Sequence, residues 1–124
     1  MARKYIVDDI VMYKNKIHTI VDIIGLNNYE LSYISHPVNR LELSGVPITS
    51  EILEKNRWKN KMYCDWCHYL PIEGNILYLS KGIGIDGAFS VGVGQGMSYI
   101  TSIRFVHQLQ HLFFSLNINH KMEV

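Results

Sequence analysis

The sequence predicts an α+β protein. A small β-barrel lobe over residues 1–47 is followed by an α+β lobe over residues 48–124, made of a short helix, a β-meander and one C-terminal helix packed on that antiparallel sheet. Three observations lead there. Short β-branched and aromatic runs, divided by turn residues, fill Tyr5 to Pro47. Strand-like runs return between Lys61 and Thr101. One apolar pattern of helical period closes the chain, from Phe105 to Asn117. At 124 residues with 48% apolar and 19% charged residues, the chain can bury a core as one compact domain or as two very small lobes sharing one. Eight tyrosines suit half-buried pleated surfaces.

In chain order, Ile10–Tyr13 and Ile17–Ile24 read as strands joined by a tight turn at Asn15-Lys16. Gly25-Leu26-Asn27-Asn28 is the next turn, because Gly and Asn tolerate positive φ. Tyr29–Ile34 alternates apolar and polar residues as a strand, His36-Pro37 breaks it, and Val38–Leu43 forms a fourth. Four such strands on tight turns curl into an SH3-like or KOW-type barrel, a likeness of fold that carries no function with it. Gly45 to Ile48 is the junction. Thr49 or Ser50 then caps a helix over Glu51–Lys55. Strands are expected at Met62–Leu70, Ile76–Ser80, Ala88–Val93 and Met97–Ile100, with a turn at Pro71–Asn75. In the last helix, Ser102 is the expected N-cap, and Val106, Leu109, Leu112, Phe113 and Leu116 form the buried face.

A formal net charge of +1 supplies no global field for a phosphate backbone. No apolar run approaches the roughly 20 residues that span a bilayer, so no membrane partner is expected. Asp8 and Asp9 interrupt what would be the apolar part of a leader. Two cysteines do not make a disulfide framework, and the expected compartment is a reducing cytoplasm.

Four groups of residues invite chemistry. Cys64 and Cys67 have the spacing of a zinc knuckle or thiol pair, and His107 and His111, one helical turn apart, could complete a four-ligand zinc set. Against it, the pairs lie about forty residues apart, beyond zinc-finger spacing. A strand would also point positions three apart to opposite faces. No metal and no cofactor are therefore expected. The clusters Gly82–Gly87 and Gly92–Gly96 resemble phosphate loops, yet strand-like residues follow both where a helix should open, and they read as hairpin connections. The six histidines have no evident nucleophile beside them; His107 and Gln108 read as partly exposed, hydrogen-bonding where helix meets barrel. Finally, Arg57, Lys59 and Lys61 beside Trp58, Tyr63 and Trp66 could offer cations and stacking planes to nucleic acid. The plainer reading packs the tryptophans inward.

Several runs resemble small phage, prophage and mobile-element proteins of anaerobic gut bacteria. They are Pro47-Ile48-Thr49-Ser50-Glu51-Ile52-Leu53-Glu54-Lys55, and Phe105-Val106-His107-Gln108-Leu109-Gln110 leading into an aromatic-rich helix. The opening Asp9-Ile10-Val11 and Lys16-Ile17-His18-Thr19-Ile20-Val21-Asp22 resemble the start of many small barrels. The resemblance follows most of the chain in order, and Cys64, Cys67 and His111 stand outside its pattern. It implies a phage or mobile-element accessory protein and transfers no catalytic residue. The resulting expectation is a non-enzymatic adaptor that binds a host or phage protein in the host cytoplasm. A weak nucleic-acid-binding accessory protein is the alternative, and a zinc-stabilised module the third.

Overall fold

A computed structural model describes residues 5–61, 64–81, 88–94 and 98–124, with the backbone alone at 61, 64–66, 81 and 98. Among them the fold is α+β: two five-stranded antiparallel sheets and two α-helices. The chain divides into two compact units, Met1–Val46 with Phe105–Met122, and Pro47–Arg104 with Glu123–Val124.

The first unit contains β1 (Ile10–Tyr13), β2 (Lys16–Ile24), β3 (Asn28–Leu31), β4 (Val38–Asn39) and β5 (Leu43–Gly45), in the sheet order β4-β3-β2-β1-β5. The β1–β2 turn is Lys14-Asn15, with Tyr13 opposite Lys16, one residue earlier than expected. Both turn residues have positive φ, 49° and 64°, the backbone that a two-residue turn between right-twisted strands requires. A register shift between Ile20 and Asp22 bends β2.

The expected fourth strand, Val38–Leu43, is instead two strands divided by a 3-10 helix, Arg40–Glu42. Asn39 Oδ1 accepts from Leu41 N–H at 2.9 Å, and Glu42 Oε2 accepts from Asn39 N–H at 3.3 Å, a reciprocal cap that holds the turn. The turn lets β5 return to pair with β1, Leu43 opposite Tyr13. Among the described residues β4 and β5 remain the sheet edges, so the sheet is not a closed barrel. Its core is Tyr5, Val11, Tyr13, Ile20, Tyr29, Leu31, Val38 and Leu43.

The C-terminal helix, α2 (Val106–Ser115), belongs to this first unit and not to the second sheet as expected. Polar contacts to the N-terminal segment, invisible to apolar periodicity, hold it there. Ser102 does not cap it; the chain is still strand at that point, and Gln108 Oε1 accepts from Phe105 N–H at 3.0 Å instead. Its buried face is Val106, His107, Leu109, Gln110 and Phe113, rotated from the expected set, while Leu116 is exposed.

The second unit opens with α1 (Ser50–Lys55), capped by Thr49 Oγ1, which accepts from Ile52 N–H at 3.2 Å. A meander follows: β6 (Lys59–Lys61), β7 (Cys64–Ile72), β8 (Asn75–Lys81), β9 (Phe89–Val93) and β10 (Ser98–Ile103), in the order β10-β9-β8-β7-β6. The expected turn at Pro71–Asn75 narrows to Glu73-Gly74, with Gly74 at φ 74°. Pro71 stays in β7 beyond Tyr69, the last β7 residue opposite β6, where that flank of the sheet is open. Met62, Tyr63, Gly82–Gly87 and Gln95–Met97, which carry parts of the expected strands and glycine loops, lie outside the described residues.

Candidate functional site

Two features of the first unit stand out: a buried polar cluster and an exposed apolar surface. The cluster starts from the tight turn Ile6–Asp9. Asp8 sits at φ 77°, a left-handed conformation that aspartate tolerates better than most side chains. The turn is secured by Asp9 N–H to Ile6 O at 3.1 Å and by Ile6 N–H to Asp9 Oδ2 at 2.9 Å. It is joined to the start of the sheet by Asp8 N–H to Ile20 O at 2.9 Å and Ile20 N–H to Asp9 O at 2.8 Å.

Helix α2 meets this turn with polar side chains. The Asp9 carboxylate is wholly buried; its Oδ2 also accepts from His111 Nε2 at 2.6 Å, and its Oδ1 has no hydrogen-bond partner among the described residues. The residue before His111 on the helix, Gln110, is as buried as Asp9 and makes three bonds. Its Oε1 accepts from Ile10 N–H at 2.8 Å, and its Nε2 donates to Asp8 O at 2.7 Å and His120 O at 3.0 Å. His120 faces Asp8 at 3.4 Å. His107, expected to be partly exposed, is buried, edge-on to Tyr5 with ring centroids 4.9 Å apart and stacked on Phe105 at 5.8 Å. Burial pushes the Tyr5 phenol above its ordinary pKa, and Tyr29 and the Asp9 carboxylate push in the same direction.

An Asp–His pair orients an imidazole, and in a hydrolase it serves a nucleophile or a bound water. Here the same groups connect the N-terminal turn, α2 and the C-terminal tail by bonds that span up to 102 residues of sequence. The arrangement fastens the unit together.

The apolar surface lies elsewhere on the unit. The β2–β3 turn, with Gly25 at φ 66°, is tied to the 3-10 helix by Arg40 N–H to Asn27 O at 2.8 Å and Asn39 Nδ2 to Asn28 Oδ1 at 3.4 Å. Each of these neighbouring segments holds a leucine out in solvent, Leu26 at 82% and Leu41 at 83% exposure. Ile17, Val21 and Ile24 are exposed along β2. Tyr33, after β3, is fully exposed at φ 63°, a strained backbone for a bulky residue.

The residues singled out in the sequence are distributed over both units. Cys67 is a buried free thiol on β7 of the second unit, the Cys64 side chain lies outside the described residues, and His107 and His111 are on α2 of the first unit. No group of three or more metal-ligating side chains occurs among the described residues. Arg57 and Trp58 form the end of α1. Arg57 takes φ 71°, its N–H donates to Glu54 O at 3.2 Å, and Trp58 N–H donates to Leu53 O at 3.0 Å. This is the paired bonding of a left-handed helix terminus, and it packs Trp58, 3% exposed, beside buried Leu53. Trp58 is therefore no stacking plane for a base. Lys59 is exposed on β6, whereas the side chains of Lys61 and Trp66 lie outside the described residues. Sequence reasoning missed the polar cluster, whose one legible trace is Asp8-Asp9 before a strand and His107, Gln110 and His111 at helical spacing.

Comparison of the chain with protein-family models, curated proteins and solved structures finds no match. No helix among the described residues is long and apolar enough to cross a membrane.

Proposed function

We propose that this protein is a non-enzymatic adaptor of phage or mobile-element origin, acting through protein contacts in the host cytoplasm, with the first unit as its binding module. The observation that carries the reading is the pair Leu26 and Leu41, both more than four-fifths exposed on segments hydrogen-bonded to each other. Scattered apolar residues on a surface need no explanation, but two large ones so fully exposed on linked segments are the strongest candidates for a contact site on this unit. The strained, solvent-facing Tyr33 and the apolar flank of β2 extend the same character over the unit. The strand order, with β5 returning past a 3-10 helix to pair with β1, supports an SH3-like arrangement of this module. Buried Trp58 and a net charge of +1 favour protein over nucleic acid as the partner.

The test compares the native chain with a Leu26→Asp/Leu41→Asp variant in quantitative affinity capture from host cells, alongside fluorescence anisotropy with mixed oligonucleotides at two salt concentrations. The expected result is a salt-tolerant protein partner lost from the double variant and weak oligonucleotide binding at most. Sub-micromolar, salt-sensitive oligonucleotide binding, abolished by changing Arg57, Lys59 and Lys61 to Ala, would replace the adaptor reading with nucleic-acid binding.

A further inference from the structure

We infer that the second unit carries a docking site for an extended acidic segment of a partner protein, centred on the side chain of Asn56, and that Glu123 of the same chain stands in it. Asn56 closes α1. Its Nδ2 donates to Ile52 O, one helical turn back, at 2.7 Å, and that bond fixes which way the amide faces. The rest of the amide goes to a single residue. Nδ2 also donates to Glu123 O at 2.8 Å, and Oδ1 accepts from Glu123 N–H at 2.9 Å. A residue bonded through both its N–H and its C=O by one neighbour is paired as in an antiparallel sheet. The Asn56 amide therefore acts as one residue of an adjoining strand, and what it recognises is extended main chain. Proline, with no N–H, is excluded at that position.

Charge supplies the rest of the specificity. Lys55, Arg57 and Lys59 are exposed around Asn56, and no acidic residue lies between positions 55 and 59. Glu54, two positions before Asn56, falls on the opposite side of α1 by its period. Among the described residues no ion pair engages these three cations or the Glu123 carboxylate. An acidic residue held on the amide is thus within reach of cations that no other partner neutralises, and salt screens charges so close only in part. A phosphate group would fit less well. It offers acceptors alone and would set an oxygen against Asn56 Oδ1, where a peptide brings an N–H.

The present occupant is exchangeable. Glu123 and Val124 are both exposed, and the two bonds to Asn56 replace bonds to water, so each contributes little net free energy. Belonging to the same chain gives Glu123 a high effective concentration at the amide. It holds the site against a weak ligand and yields it to a segment that makes further contacts. This inference is independent of the adaptor reading, which rests on the leucine pair of the first unit.

The experiment follows the side-chain amide signals of Asn56 in nitrogen–proton correlation spectra of the full chain. The probe is a tetrapeptide with both ends capped, the run of residues 121–124 with Lys121→Glu, added to millimolar concentration. In Glu123→Pro, which cannot donate to Oδ1 and so vacates the site, the signals should shift saturably, at about tenfold or more lower peptide concentration than in the native chain. The same peptide with Glu123→Lys should bind more weakly, and with Glu123→Pro not at all. Adding Asn56→Leu to the Glu123→Pro chain should abolish the response, with circular dichroism melts confirming that each variant is folded. The inference is overturned by equal shifts in the native and Glu123→Pro chains, by no shift in either, or by a response that survives Asn56→Leu. A lysine or proline peptide that binds as well as the acidic one would overturn it equally, with no change made to the protein.

Discussion

The two units reach similar five-stranded sheets by different routes. In the second, every strand pairs with its neighbour in sequence, β6 through β10 in order, and hairpins do the work. In the first, a meander is closed by contacts between distant segments: β5 returns to β1, and α2 comes back to the N-terminal turn through Gln110 to Ile10 and His111 to Asp9, 100 and 102 residues apart. Loop-closure entropy grows slowly, by about 0.6 kcal/mol per doubling of loop length, so the long return is affordable once fixed contacts await it. The second sheet is thus a product of local pattern. The first depends on a few particular side chains, and its stability should be correspondingly more concentrated.

The largest test of that contrast is Leu109→Ala. Leu109 is fully buried on α2, a helix of the first unit. Its truncation should cost roughly 2–5 kcal/mol, the range for large-to-small changes in packed cores. Chemical denaturation followed by tryptophan-independent circular dichroism would measure the loss, and hydrogen exchange would place it first on the amides of β1 and β2. A near-native midpoint would show that the stability of the first unit does not depend on this helix.

Gln110→Met comes next and isolates the polar fastening from the packing. The substitution keeps the approximate volume of the side chain but removes its bonds to Ile10 N–H, Asp8 O and His120 O. A buried amide left unsatisfied costs about 1–3 kcal/mol, so destabilisation of about that size is expected from Ile10 alone. If thermal melting instead showed Gln110→Met to be as stable as the native chain, the first unit would be held by apolar packing in the same way as any small sheet.

What the sequence made legible follows the same division. Alternation and turn residues located β1, β2, β8 and β9 closely, because the period of two and the positive-φ preference of Gly and Asn act within a few residues. The hairpin at Lys14-Asn15 was displaced by one residue because lysine is a poor indicator of positive φ. The 3-10 helix was readable in principle: Asn39 and Glu42, three apart, are a capping box inside what looked like a continuous strand. The placement of α2 was not readable. Its apolar stripe says that one face is buried, not against which sheet, and the deciding bonds come from His111 and Gln110, polar residues that periodicity assigns to solvent. Leu26 and Leu41 were equally opaque. One sat in a turn and the other in an expected strand, and it is the β3–β4 pairing with the bonds of Arg40 to Asn27 and Asn39 to Asn28 that brings those segments together.

The smallest expected effect is a pH dependence that belongs to the first unit alone. Tyr5 is buried there, its ring 5.6 Å from Tyr29 and its phenol pushed above the ordinary value of 10.0 by burial, with Tyr29 and Asp9 adding to the shift. A phenol whose pKa is higher in the folded chain keeps its proton there while the unfolded chain releases it. The unfolded state therefore binds fewer protons above pH 10, and stability falls as pH rises from the unfolded value toward the folded one. Below pH 10 the contribution is fully present and constant. Denaturation midpoints measured across this alkaline window should decline in the native chain and decline less in Tyr5→Phe, which has no proton to lose. The two curves should converge in slope below pH 10. Parallel curves through the window would mean that the phenol is solvated in the folded state, and that the polar cluster around Asp9 is looser than its hydrogen bonds imply.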